Sequence, residues 1–211
     1  MNWLAHVFLS QNHIEHQLGN LLTDPLKGRA WEGASEQIHR GIMIHHTIDS
    51  FTDSHPLVKK SKALLTPRGH LKGVVLDVLY DHFLSLHWDR YACVERKAFL
   101  KAFRSNAIQI IPSYPKEAQD VIRRVVNTRQ LRSYAHMEGV IAAFRRIDAR
   151  LSVRARGKDN MECYIPRIAE NREALEEMFL EFFPELMKEV EKKCVSGEFK
   201  HWKNILSYQK K

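Results

Sequence analysis

Apolar residues recur at three- and four-residue intervals along most of this chain, the spacing of one face of an α-helix. Alternating, strand-like runs are sparse. Gly and Pro number only nine and seven in 211 residues, so few positions interrupt the helical period. The pattern predicts helices over residues 35–52, 57–65, 70–88, 95–110, 115–134 and 136–152, and a last pair over 166–183 and 185–195. Ser35 is placed to cap the first of these, and Asp53-Ser54-His55-Pro56 to stop it. Residues 11–23 read as helix or turn ending at Thr23-Asp24-Pro25, because a proline disfavours helical geometry at the residue before it. Residues 2–10 are apolar but too short to assign. Thr66-Pro67-Arg68-Gly69 and the basic stretch 153–160 read as loops. Pro184 is expected to kink or break the last helical stretch, since it has no N–H to donate. No internal repeat or long linker divides the chain. The expected fold is therefore all-α, a single-domain helical bundle spanning residues 1–211.

Two of these helices carry charge where packing calls for apolar groups. At about 100° per residue, with His45 at the origin, Ile38, Asp49 and Ile42 all fall within about 60° on one side. His45 and Asp49 are thus i, i+4 neighbours on the inward face. A buried imidazole–carboxylate pair needs a strong partner. A divalent cation would serve, as would a simple His–Asp hydrogen bond or a face that turns to solvent. The helix over 70–88 is apolar on nearly every side (Val74, Val75, Leu76, Val78, Leu79, Tyr80, Phe83, Leu84, Leu86) and is expected inside the protein. It nevertheless holds Asp77 and Asp81 four residues apart, followed by His82. Two carboxylates on a central helix repel unless a cation or proton lies between them; an arginine from another helix is the alternative. His6, in the apolar start, and Asp24, after Gly19-Asn20, extend the set to His6, Asp24, His45, Asp49, Asp77, Asp81 and His82. Mixed carboxylate and imidazole donors suit Mn²⁺, Fe²⁺ or Mg²⁺. A metal ion so held fits hydrolysis of a phosphate ester, though oxygenase or isomerase chemistry uses similar ligands.

Charge and cysteine usage add two constraints. The formal net charge is +8, and residues 101–160 carry 13 Lys and Arg against 5 Asp and Glu, while the flanking regions nearly balance. Such a field attracts an acidic protein, a nucleic acid or an anionic membrane, or is simply a solvated basic face. The three cysteines, Cys93, Cys163 and Cys194, are odd in number and widely spaced, which argues against a disulfide framework or a cysteine–zinc site. With no early positive charge before Lys27 and no apolar run near ~20 residues, a cytoplasmic location without a membrane span is expected.

Four motifs in order along residues 1–90 carry a resemblance. They are Asn2-Trp3-Leu4-Ala5-His6, then Gly19-Asn20-Leu21-Leu22-x-Asp24, then Gly41-Ile42-x-x-His45-x-x-Ile48-Asp49-x-x-Thr52-Asp53, and finally Leu76-Asp77-Val78-x-x-Asp81-His82-Phe83-Leu84-Ser85-x-His87-Trp88. Together they resemble the acyl carrier protein phosphodiesterases. The resemblance implies a divergent HD-type (HD-like) helical fold, a divalent cation, typically Mn²⁺, and hydrolysis of 4′-phosphopantetheine from holo-acyl carrier protein. Position 46 is His where much of that family is expected to have Arg, and Asp81-His82 reverses the usual His-Asp doublet.

On this basis His6, Asp24, His45, Asp49 and Asp81 are the expected metal ligands. Asp24, His46, Asp77 and His82 are the candidates for the reacting groups, with His82 or His46 as proton donor to the leaving serine oxygen. An acidic acyl carrier protein is the expected partner. Arg123, Arg124, Arg145 and Arg146 head its docking candidates, with Arg129, Arg132 and Arg150 beside them. One rival is a phosphohydrolase of a nucleotide or other small phosphoester. The other is a non-catalytic helical module that binds nucleic acid, for which Phe103, Tyr114, Tyr134 and Phe144 are few stacking platforms.

Overall fold

Helices form where the apolar spacing places them, and local caps set their ends. A computed structural model describes residues 1–66, 69–127, 130–194 and 198–203. In chain order its helices are α1 (Trp3–Phe8), α2 (Ile14–Leu22), α3 (Glu36–Ser54), α4 (Pro56–Leu65), α5 (Lys72–Leu86), α6 (Trp88–Tyr91), α7 (Arg96–Ile110), α8 (Lys116–Asn127), α9 (Gln130–Ser133), α10 (Met137–Asp148), α11 (Val153–Lys158), α12 (Ile165–Glu170) and α13 (Arg172–Lys192). Among the described residues there is no β-sheet; one isolated antiparallel bridge joins Ala92 to Trp202. The chain is an all-α helical bundle. No helix among the described residues is long and apolar enough to cross a membrane.

Ser35 caps α3 as expected, its hydroxyl accepting from the Ile38 amide at 3.3 Å. His55 closes α3 and opens α4, where its Nδ1 accepts from the Leu57 amide and Pro56 occupies the first turn. α1 has six residues, too few to hold a helix alone. Its free N-terminal amides, at Leu4 and Ala5, donate to the two carboxylate oxygens of Asp81 on α5, each at 2.9 Å. A cap supplied from another helix is invisible in the local pattern, which is why residues 2–10 could not be assigned.

α5 lies at the centre, with Val75, Leu76, Val78, Leu79, Phe83 and Leu84 buried, but Val74 and Leu86 remain exposed at its ends. α1, α4, α10 and α13 pack on it. One apolar core joins all of these, from Met1 to Trp202.

Four expectations are corrected. The basic stretch 153–160 is not all loop: Ser152 accepts from the Ala155 amide at 3.2 Å and starts α11. Asp159 then accepts from the His70 and Leu71 amides and tethers this segment to the start of α5. Pro184 does not break the chain's last long helix: α13 runs through it, because Phe179, Phe182, Phe183, Leu186 and Met187 on both sides of it are fully buried and hold one continuous face. The stretch 115–134 is divided into α8 and α9, and 70–88 into α5 and the start of α6. Pro67, Arg68 and residue 195 lie outside the described residues.

α2 and α3 cross with backbone against backbone. A Cβ at Gly41 would stand 2.3 Å from the His16 carbonyl oxygen and 2.7 Å from the Asn20 nitrogen; one at Gly19 would stand 2.3 Å from the Ile38 carbonyl oxygen. Only glycine permits that approach. His16, at the same crossing, is fully buried, with no hydrogen-bond partner on either ring nitrogen. Burial lowers its pKa from 6.5 to about 4. Between those values the unfolded chain holds a proton at His16 that the folded chain does not. Stability is therefore full above pH 6.5 and falls as pH drops toward 4, by on the order of 3 kcal/mol for this residue. In urea titrations His16→Gln should flatten that acid loss; an unchanged pH slope would show that His16 does not cause it.

Candidate metal centre

The glycine crossing delivers Asn20 of α2 to the inward face of α3. The Asn20 carboxamide donates from Nδ2 to the His6 carbonyl oxygen and to Ser10 Oγ, both at 2.9 Å. Its Oδ1 is left to accept from His6 Nδ1 at 2.7 Å. The Asn20 backbone carbonyl accepts from His45 Nδ1 at 2.8 Å. One residue thus sets the proton on Nδ1 of both imidazoles and turns both Nε2 atoms toward Asp49. The two rings stack 4.3 Å apart at 15°.

Around those nitrogens, electron-rich atoms converge. His45 Nε2 is 3.0 Å from Asp49 Oδ2 and 3.2 Å from Asp24 Oδ1. His6 Nε2 is 3.5 Å from Asp49 Oδ1 and 3.1 Å from the Met1 carbonyl oxygen. Lone pairs facing one another at these distances repel unless positive charge lies among them. The Met1 amino group, 3.6 Å from Asp49 Oδ1 and 3.2 Å from Asp77 Oδ1, supplies part of it.

The titration behaviour agrees. Burial opposes charge on His45, but its hydrogen bonds to Asp24 and Asp49 outweigh burial and raise its pKa to about 9. Burial pushes Asp49 up, yet the hydrogen bonds with His45 and His6 hold its carboxyl far below the usual range. The His45 hydrogen bond also lowers Asp24. His6 is lowered, chiefly by burial. The pocket demands a cation at His45 Nε2, which a proton or a divalent metal ion can provide.

Among the described residues, ligand atoms of His6, His45 and Asp49 lie within 4.8 Å of one another. Two neutral imidazoles and a carboxylate, with their far nitrogens held by an ordered amide, fit a divalent cation. Asp24 stands at the open edge, its side chain 80% exposed, where a fourth protein ligand would leave room for water and substrate.

The other expected residues are placed differently. Asp81 is fully buried, outside the His6–His45–Asp49 group, with both oxygens on the α1 amides. Burial raises its pKa to about 7 against the pull of those two hydrogen bonds. It positions α1, and with it His6. Asp77 meets the Met1 amino group. His82 is buried and donates from Nδ1 to the Tyr134 carbonyl at 2.7 Å, tying α5 to the residue that follows α9. His46 is exposed, its ring edge-on to His45 at 5.8 Å. Arg123, Arg124, Arg145 and Arg146 are exposed, and Arg145 pairs with Glu162 at 2.9 Å. Arg129 lies outside the described residues. Asn20 was not among the expected site residues; Gly19 beside it and Gly41 opposite are the signals of the close crossing that gives it its role.

Comparison with known proteins gives the same direction. A family model described as acyl carrier protein phosphodiesterase matches residues 1–186. A Yersinia pestis protein of that name is 30% identical over 198 residues, covering 92% of this chain and 100% of the relative. Proteins of the same name from Serratia proteamaculans and Escherichia coli O6:H1 are each 28% identical, over 198 and 207 residues, covering 92% of this chain and 99% and 100% of theirs. No solved structure gives a significant match. With the family model matching residues 1–186 and the Yersinia pestis relative matched over 92% of this chain, the chain belongs to the acyl carrier protein phosphodiesterase family.

Proposed function

We propose that this chain hydrolyses 4′-phosphopantetheine from holo-acyl carrier protein, leaving the apo form, with a divalent cation, Mn²⁺ foremost, as cofactor. The observation that carries the reading is the convergence of His6, His45 and Asp49, from two separate helices, on one point. A cation held there lowers the pKa of a bound water and offsets charge on a phosphoryl oxygen. His6, His45 and Asp49 would hold it, with Asp24 as a further ligand at the open edge. Asn20 holds the Nδ1 proton of both imidazoles and so turns both Nε2 atoms toward the site. Asp77, next to Asp49 through the Met1 amino group, helps set the local charge. His46 is exposed beside His45, where it can give a proton to the leaving serine oxygen; His82, held by the Tyr134 carbonyl, is the less accessible choice. Asp81 acts through α1 as a positioning residue.

We read the whole chain as one HD-like domain of the cytoplasm, with its exposed thiols, Cys93 and Cys163, free. The basic helices of residues 101–160 are the docking face for an acidic carrier protein. The nucleic-acid alternative loses support, because Phe103, Tyr114, Tyr134 and Phe144 are all buried and offer no ring for a base to stack on.

Incubation with holo-carrier protein and Mn²⁺ should remove the prosthetic group, read as a mass loss on the intact carrier. Reversing charge at Arg123, Arg124, Arg145 and Arg146 should raise KM for the carrier and flatten its dependence on salt, with little change for a small phosphodiester. Equal KM for the carrier before and after charge reversal would favour the small-phosphoester enzyme instead.

A further inference from the structure

One turn before Asn20 on α2, the His16 side chain lines a pocket of about 210 Å³, bounded by α3 and by the residues that follow α13. His16 is fully buried, and neither of its ring nitrogens has a hydrogen-bond partner among the described residues. Ile44, also fully buried, gives an apolar part of the wall, and Gln11, Arg40, Lys193 and Cys194 supply polar groups. The space is several times the ~30 Å³ that one water occupies in the liquid.

Each polar group of the wall has a defined state. Gln11 donates from Nε2 to the Glu198 carboxylate and hydrogen-bonds the Cys194 thiol. Burial and the nearby Glu198 carboxylate push that thiol up to about 11, so it stays protonated and brings no negative charge. The His16 ring, lowered to about 4 by burial, is neutral and offers one N–H and one lone pair. Arg40 gives Nε and Nη2 to Glu36 Oε1 at 3.1 and 2.9 Å, which leaves Nη1 unpaired among the described residues. Its charge acts on both His16 and Cys194, which places the guanidinium beside the pocket they share. Lys193 is exposed and has no ion pair among the described residues. The described lining therefore holds two cations and no carboxylate, and Glu198, beside Cys194, is engaged by Gln11. Such a lining repels a metal ion and attracts an anion.

We propose that this pocket binds a small oxyanion, a phosphate or carboxylate group, that accepts the His16 ring N–H and pairs with Arg40 and Lys193. Guanidinium and ammonium groups are the side chains that hold such oxygens most strongly, and the buried imidazole gives the site a donor that water-exposed cations alone lack. The assignment does not depend on the phosphodiesterase reading. A bound anion also braces α2 one turn ahead of Asn20, so it stabilises the folded chain by mass action.

The test uses the full chain with Mg²⁺ present and inorganic phosphate as the probe. At constant ionic strength, phosphate exchanged for chloride should move the ring ¹H–¹³C signals of His16 along a saturable curve. Those signals are assigned by their loss in His16→Gln. Lys193→Gln and Arg40→Gln change an exposed and a half-buried side chain, and each should weaken phosphate about tenfold, the loss of one hydrogen bond to a charged group. Acetate is the second arm: a saturable shift with phosphate, with acetate or with both supports the site, and shows which group it takes. If neither anion gives a saturable shift, if raising chloride alone moves His16 as far, or if both variants keep the wild-type affinity, the pocket holds water only and the proposal is overturned.

Discussion

Asp49→Asn should lower turnover of holo-carrier protein by more than ~100-fold, beyond the range seen when only a residue behind a metal ligand is lost. The reason is geometric. Among the described residues Asp49 is the one carboxylate that reaches both imidazoles, with Oδ2 at 3.0 Å from His45 and Oδ1 at 3.5 Å from His6. Asn keeps the shape but removes the charge that draws a cation between them. The residue is partly exposed, 37% at its side chain, so the fold tolerates the change. Metal affinity should fall together with turnover, and the metal-free protein should melt somewhat lower, since the carboxylate that holds the charge on His45 is gone. Full activity in this variant would take Asp49 out of the site.

Gly41→Ala should be the most damaging single-methyl change in the molecule's α2–α3 crossing. The new carbon would overlap the His16 carbonyl oxygen and the Asn20 nitrogen. Both are backbone atoms and cannot rotate away, so the helices must separate. Overpacking of a core typically costs ~1–3 kcal/mol, and a clash with rigid backbone belongs at the upper end or above. The separation also pulls the Asn20 carbonyl from His45 Nδ1, so metal affinity and activity should fall even where the protein stays folded. Gly157→Ala is the control: its added carbon meets nothing within 4 Å, and within α11 alanine is the better helix former. Thermal melts of the two variants should diverge clearly. Equal melting temperatures would mean that the crossing is looser than its geometry indicates.

Much of the fold was legible because helix periodicity, the Ser35 cap and the stop at His55-Pro56 are local properties. The pairing of His45 with Asp49 was legible for the same reason: both lie on one strip of one helix. What escaped was set by contacts between helices. Asp81 shares a stripe with Asp77 on α5 and so looked like a ligand, yet its oxygens serve the α1 amides, a partnership no spacing along α5 reveals. Asn20 acts on His45 through its backbone carbonyl, and a backbone atom leaves no mark on residue type. Pro184 obeyed burial rather than its local preference, because the apolar face of α13 continues on both sides of it. The start of α11 depended on one hydroxyl, at Ser152, inside a stretch whose charge suggested a loop.

The most direct measurement is the position of the ion itself. Crystals grown with Mn²⁺ and measured near the manganese absorption edge should give one strong anomalous peak per chain, in contact with His6, His45 and Asp49. A peak bound elsewhere, or an active enzyme with no peak between those three side chains, would contradict the account.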